Sequence, residues 1–300
     1  MNNEPEEIRP RDSEGRPGGL LYLHRDIPTV VVPDLHARME LILALLAYRD
    51  DQDVPAADRL ASGQLQILFL GDGFHAEGRA VARWQAALEE FKGGYRKHSH
   101  MDAEMRESLG VMQMVMSLKR RYPNHLHFLK GNHENITNEQ GEGNYPFLKF
   151  ANEGLMVRIY MEHFYGEQLL GRYAELEKSF PLLAVGPNFL ASHAEPAWFI
   201  PKQEVIEYRR IPQVVYGLTW TDNEEAEPGS VQQMLEHYLG AEAAATAFHF
   251  GGHRPVRGGY NLRSDGRYVQ IHDPDRYVVA LLPAGQQIDL DRDIRELLDE

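Results

Sequence analysis

Cysteine is missing from all 300 residues of this chain. Its absence excludes disulfides, thiolate metal ligands and a cysteine nucleophile together, and it suits a reducing compartment. No apolar run approaches the ~18 residues that a bilayer span requires. Positive charge is scarce as well, with 31 Lys and Arg against 45 Asp and Glu and a formal net charge of −14. Nucleic-acid binding depends on neutralising phosphates with basic side chains, so neither nucleic acid nor membrane is expected as a partner. Residues 1–18 are charged and rich in Pro and Gly, without the basic and apolar segments of a secretion signal. They read as a disordered tail ahead of a single domain over residues 19–300, and a cytoplasmic location is expected.

Beyond the tail, short β-branched runs alternate with amphipathic stretches, the pattern of an α/β protein. Strands are predicted at 28–32, 66–70, 127–129, 189–191, 247–250, 268–271 and 277–282. Helical character marks 41–48 and 102–122, where Met105, Leu109, Met112 and Met116 recur at helical spacing and predict a core-facing stripe. A mainly helical stretch is predicted over 145–179, and the acidic segment 220–230 reads as a surface loop.

The polar residues that follow these strands carry the chemistry. Asp34 and His36 come just after the first predicted strand, Asp72 after the second, and Asn132 and His133 after the third. His193 and His253 each follow a later one. In α/β sheets, sites form beyond the carboxyl ends of strands, so five separate strand ends deliver candidate ligands to one region. Taken singly, each has a structural reading: Asp72 as a helix cap, Asn132 in a left-handed turn, the histidines buried and hydrogen-bonded. Their ordered coincidence argues against all of those at once. Carboxylate and amide oxygens mixed with imidazole suit borderline divalent cations such as Mn, Fe or Zn. Six such ligands exceed the needs of one ion and point to two, bridged by a shared carboxylate.

The segments Asp34-Leu35-His36, Gly71-Asp72, Gly131-Asn132-His133-Glu134, His193 and Gly252-His253 resemble, in this order, the motifs of the calcineurin-like metallophosphatase superfamily. Connecting text is similar to its serine/threonine protein phosphatase branch, of which the chain looks like a divergent member. That text includes Leu118 to Pro123, Phe180 to Ala184, Leu218 to Asp222 and Gly252 to Tyr260. The resemblance covers roughly residues 28–282. It implies a catalytic domain of two mixed β-sheets packed face to face and flanked by helices. It also implies one ion held by Asp34, His36 and Asp72, and a second held by Asp72, Asn132, His193 and His253. Manganese is the expected metal, with iron or zinc as alternatives. The implied reaction is hydrolysis of a phosphomonoester, on a phosphoprotein or small phosphoester, by a metal-bridging hydroxide with His133 as general acid.

The departures concern substrate handling. Pro33 replaces the usual Gly before the first Asp. Where the family has Asp-Arg-Gly after its second motif, this chain has His75-Ala76-Glu77. His75 thereby replaces the Asp that orients the acid histidine, and Ala76 replaces a phosphate-binding Arg. Glu77 stands as a candidate support for His133, and Arg254 and Arg79 as candidate phosphate-binding cations. The same site would also suit a nucleotide, dinucleoside polyphosphate or phosphodiester substrate. A non-catalytic metal-binding interaction module is the reading from a different class.

Overall fold

In a computed structural model describing residues 4–297, the apolar runs form eleven short strands among the described residues. In chain order these are β1 (Leu20–Tyr22), β2 (Thr29–Val32), β3 (Gln66–Phe69), β4 (Leu126–Phe128), β5 (Leu183–Val185) and β6 (Phe189–Ser192). They continue with β7 (Phe248–Gly251), β8 (Asn261–Arg263), β9 (Tyr268–Gln270), β10 (Val278–Leu282) and β11 (Ile294–Glu296). One sheet has the order β11-β10-β2-β3-β4 and the other β1-β5-β6-β7-β9-β8. Both are mixed. Within the first, β2, β3 and β4 run parallel, and within the second β6, β7 and β9 do.

Strand alternation explains the layering, because successive side chains leave opposite faces of a sheet. From β2, Val31 packs between the sheets while Val30 and Val32 face helices, and Leu68 in β3 and Leu70 just after it repeat the inward pattern. From the other sheet Phe189, Ala191, Phe250 and Val269 complete the same inner core. The first sheet's outer face is covered by α1 (Met39–Ala47), α2 (Ala56–Ala61), α3 (Val81–Lys92), α4 (Ser99–Arg121), α5 (Glu153–Tyr165) and α6 (Glu167–Lys178). The second is covered mainly by α7 (Lys202–Ile206), α8 (Pro212–Thr219) and α9 (Ser230–Leu239). The expected helix–sheet–sheet–helix arrangement is therefore present. The methionine stripe of α4 does face the core: Met105 and Met112 are buried, with Leu109 and Met116 packed beside them. Among the described residues, no helix is long and apolar enough to cross a membrane.

Two expectations need correction. The helical stretch predicted from 145 begins only at Glu153, whose carboxylate accepts the backbone N–H groups of Lys149 (2.9 Å) and Phe150 (2.6 Å) and so fixes a turn before the helix. The tail expected to be disordered over residues 1–18 packs against the domain from Glu4 onward, residues 1–3 lying outside the described part. Buried charge holds it together with a single apolar anchor, Ile8 in the inner core, which is why its composition was misleading. Glu4 and Arg9 are both buried. Glu4 accepts from Lys119 Nζ at 2.5 Å and from Arg9 Nη1 at 3.3 Å, and Arg9 Nε donates to Gly18 O at 2.8 Å.

Burial alone would raise the Glu4 pKa, but contact with His127 and the charges of Lys119 and Arg9 hold it far below its ordinary 4.5. A carboxylate with a depressed folded pKa stabilises above its unfolded value and loses that contribution as the pH falls below it. Glu4→Gln strands the buried ammonium of Lys119, and chemical unfolding should show a loss of about 3–5 kcal/mol. Below pH 4.5 the variant should lose stability less steeply than the parent. Parallel acid profiles would remove Glu4 from this role.

Candidate metal centre

The carboxyl ends of β2, β3 and β4 meet those of β6, β7 and β9, three parallel strands from each sheet. Asp34, His36, Asp72, Asn132, His133, His193 and His253 all lie there, and none is exposed. The backbone is bent to place them. His36, Asp72, His75 and His253 have φ of 41°, 50°, 66° and 63°, a left-handed conformation that side chains other than glycine adopt at a cost. Gly131 and Gly252 allow the loops to touch the acids: a Cβ at Gly131 would lie 2.1 Å from Asp72 Oδ1, and one at Gly252 1.9 Å from Asp34 Oδ1.

Hydrogen bonds settle which atom of each histidine faces the centre. His36 Nδ1 meets the carbonyl of His75 at 3.0 Å, and His193 Nδ1 meets that of Leu70 at 3.0 Å. A carbonyl only accepts, so both Nδ1 atoms carry the proton and both Nε2 atoms keep lone pairs. His36 Nε2 lies 3.8 Å from Asp34 Oδ2 and 3.7 Å from Asp72 Oδ2. His193 Nε2 lies 3.4 Å from the same Asp72 Oδ2 and 2.9 Å from Asn132 Oδ1, and His253 Nδ1 is 3.1 Å from that amide oxygen. Asp72 Oδ2 thus stands between two groups of donors, the position of a bridging ligand.

The electrostatics call for cations. Burial pushes the Asp34 pKa up to about 6, and that of Asp72 well above the usual carboxylate range, with Asp34 and Glu134 adding repulsion. Burial pushes His36 down to about 4, His253 to about 3 and His193 well below its ordinary value, so these imidazoles are neutral. A neutral His193 faces the lone pairs of Asn132 Oδ1 at 2.9 Å with a lone pair of its own. A divalent ion between such atoms resolves the repulsion and neutralises the carboxylates. The donor set therefore fits the metals expected for it.

Several residues around the ligands were not assigned a role from the sequence. Glu134, last in Gly-Asn-His-Glu, accepts the backbone N–H groups of Asp72 (2.9 Å), Gly73 (2.8 Å) and Gly131 (2.6 Å), tying two ligand loops together. Arg38 is buried and donates to the carbonyls of Asp34, Asp273 and Pro274. His75 Nδ1 meets His133 Nδ1 at 2.9 Å, so His75 occupies the orienting position itself. Glu77 does not support His133. Its carboxylate bonds His272 Nε2 at 2.9 Å and Lys149 Nζ at 3.1 Å. His272 lies two residues beyond β9, the same strand-end placement that singled out the others, and its donor atom lies within 4.8 Å of those of Asp34 and His36.

The two candidate cations differ from expectation. Arg79 donates to the carbonyls of His36 and Ala37, each at 3.1 Å, and to Glu107 at 2.8 Å. Those bonds make it a brace for the first ligand loop rather than a group held ready for phosphate. Arg254 is paired with Asp222 of the acidic 220–229 loop, and its Nε has no partner. A cleft of about 230 Å³ opens beside His36, lined by Glu77, Arg79, Lys149, Phe150 and Pro255 among others.

Gly131→Ala should displace the Asp72 carboxylate and lower bound divalent metal without unfolding the chain. Elemental analysis beside circular dichroism checks this, and a folded variant with full metal content would contradict it.

Comparison with known proteins agrees with this geometry. The sequence matches the profile of the calcineurin-like phosphoesterases over residues 27–284. No curated protein matches it in sequence. Among solved structures it is similar to a protein serine/threonine phosphatase from Saccharomyces cerevisiae, at 18% identity and a TM-score of 0.54, covering 93% of this chain and 83% of that one. A cold-active protein tyrosine phosphatase from a Shewanella species is 14% identical with a TM-score of 0.48, covering 93% and 82%. A metallophosphoesterase from Sphaerobacter thermophilus is 14% identical with a TM-score of 0.38, covering 92% and 89%. At 18% identity the likeness to the yeast phosphatase speaks for the fold alone, whereas the profile match spans most of the chain. The chain belongs to the calcineurin-like phosphoesterase family and is a metal-dependent phosphatase.

Proposed function

We propose that the chain hydrolyses phosphomonoesters at a two-ion centre, with phosphoserine and phosphothreonine side chains as the substrate class. One ion would be held by Asp34, His36 and Asp72, and the other by Asp72, Asn132, His193 and His253. The observation that carries this reading is the position of Asp72 Oδ2, 3.7 Å from His36 Nε2 on one side and 3.4 Å from His193 Nε2 on the other. The similarity of the segments 118–123, 180–184 and 218–222 to serine/threonine phosphatases supports the substrate class. When bound, the ions supply an activated water and charge neutralisation at phosphorus.

The chain's own residues do the rest. His133 is the general acid in this reading. Its Nδ1 is engaged by His75, and its Nε2 lies 3.7 Å from Asp72 Oδ2. Both rings are neutral, because burial holds His75 at about 3 and His133 well below its ordinary value. That is the resting state; in the step itself His133 acts as the imidazolium, with its Nδ1–H donated to His75 Nδ1. Its Nε2 proton passes to the departing alkoxide as the P–O bond breaks, and the ring returns to the neutral form. Phe147 keeps water from the pair: its ring centre is 3.8 Å from that of His133 and 5.0 Å from that of His75. Arg254, next to His253 in the chain, is the cation that this reading assigns to the substrate side.

The test is hydrolysis by metal-free protein with Mn²⁺ restored. Asp72→Asn should abolish turnover and lower metal content. His133→Asn should keep both ions and lose about 10²–10⁴-fold on alkyl phosphates. It should lose far less on p-nitrophenyl phosphate, whose leaving group needs no proton. Equal losses on the two substrates would remove His133 from the acid role, and preference for nucleotides over phosphopeptides would redirect the substrate class.

A further inference from the structure

We infer that His272 is an additional protein ligand to the first ion, held in place by Glu77. The inference rests on the two-ion reading and extends its ligand set to a residue outside the recognised motifs.

His272 is fully buried at the end of β9, the remaining parallel strand of its sheet that points toward the centre. Its Nε2 is 2.9 Å from Glu77 Oε2. An ionised carboxylate only accepts, so the ring proton is on Nε2 and the lone pair is on Nδ1. That Nδ1 is buried and has no hydrogen-bond partner. It is aimed at the first ion's ligands, 4.0 Å from Asp34 Oδ2, and the ring centre is 5.2 Å from that of His36. Two donors about 2.0–2.2 Å from one ion can stand up to twice that distance apart. The 4.0 Å of His272 to Asp34 is therefore close to the 3.8 Å of His36 to Asp34.

A buried histidine that merely filled space would leave Nδ1 without a partner, which protein interiors avoid. As a ligand it would not. A carboxylate on the far N–H is the usual partner of a metal-bound imidazole, since it fixes the tautomer and strengthens the donor. Glu77 has this relation to His272, and Lys149 holds the other oxygen of Glu77 at 3.1 Å. Three observations thus agree: the tautomer, the unpartnered nitrogen and the distance to Asp34.

The experiment adds Zn²⁺ to metal-free, ¹⁵N-histidine-labelled wild-type protein and follows the ring nitrogens by NMR, beside Mn²⁺ titrations of His272→Ala and Glu77→Gln. The His272 Nδ1 resonance should move to the metal-bound range while Nε2 keeps its proton. His272→Ala should weaken one of the two Mn²⁺ sites by at least 10–100-fold and leave the other unchanged, and Glu77→Gln should weaken the same site by about 10–100-fold. Two ions bound with His272 Nδ1 unmoved would overturn the inference and leave the two-ion reading standing. A single bound ion that moves His272 Nδ1 would support the inference and overturn the two-ion reading. The wild-type spectrum decides even if a variant fails to fold.

Discussion

Two carboxylates, Asp34 and Asp72, are sealed in the protein interior with neutral imidazoles around them. In water each would be solvated, but here burial raises both pKa values, and the charge of Arg38 only partly offsets it at Asp34. Divalent ions are the physical answer to that arrangement, and much of the surrounding structure serves to maintain it. Glu134 binds the N–H groups of two ligand loops, Arg38 and Arg79 brace the loop carrying Asp34 and His36, and two glycines let backbone approach the carboxylates. Left-handed φ at four residues of the centre is a local cost accepted to aim the side chains.

The fold makes this arrangement possible by bringing six strand ends together. A single parallel sheet offers ligands along one edge. Two sheets packed face to face, each with three parallel strands pointing the same way, enclose a site from both sides. The inner core between the sheets, with Val31, Leu68 and Leu70 against Phe189, Ala191 and Phe250, sets the distance between the two halves of the ligand set. Stability of that core and geometry of the centre are therefore one requirement.

The centre combines a familiar ligand pattern with altered neighbours. In the proposed step a carboxylate beside His133 would favour its protonated form, whereas His75 orients the ring without adding charge. Cations near the opening are largely engaged: Arg79 on backbone carbonyls, Arg254 on Asp222 and Lys149 on Glu77. A phosphate entering the cleft must compete with those carboxylates or rely on the bound ions. On the proposed reading, substrate binding is the function in which this chain departs furthest from the pattern it resembles.

The layered α/β architecture was legible in the sequence, because period-two and period-3.6 patterns are local and β-branched runs mark buried strands. That the candidate residues converge was legible for a like reason, since strand ends can be located from local pattern. Helix α5 began later than its pattern suggested, because the carboxylate of Glu153 caps the preceding turn. The segment from Glu4 to Gly18 has the composition of a tail, yet pairing of Glu4 with Lys119, 115 residues away, holds it to the domain. Contacts of that range leave no local signature. The partners of the centre belong to the same class. Which histidine meets His133, where Glu77 points and why His272 lies beside Asp34 all depend on how loops from different strands cross. Residue type and spacing thus determined the sheets and the donors, while tertiary packing decided the tautomers, the ion pairs and the unpartnered atoms, because those arise only when distant loops share one low-dielectric space.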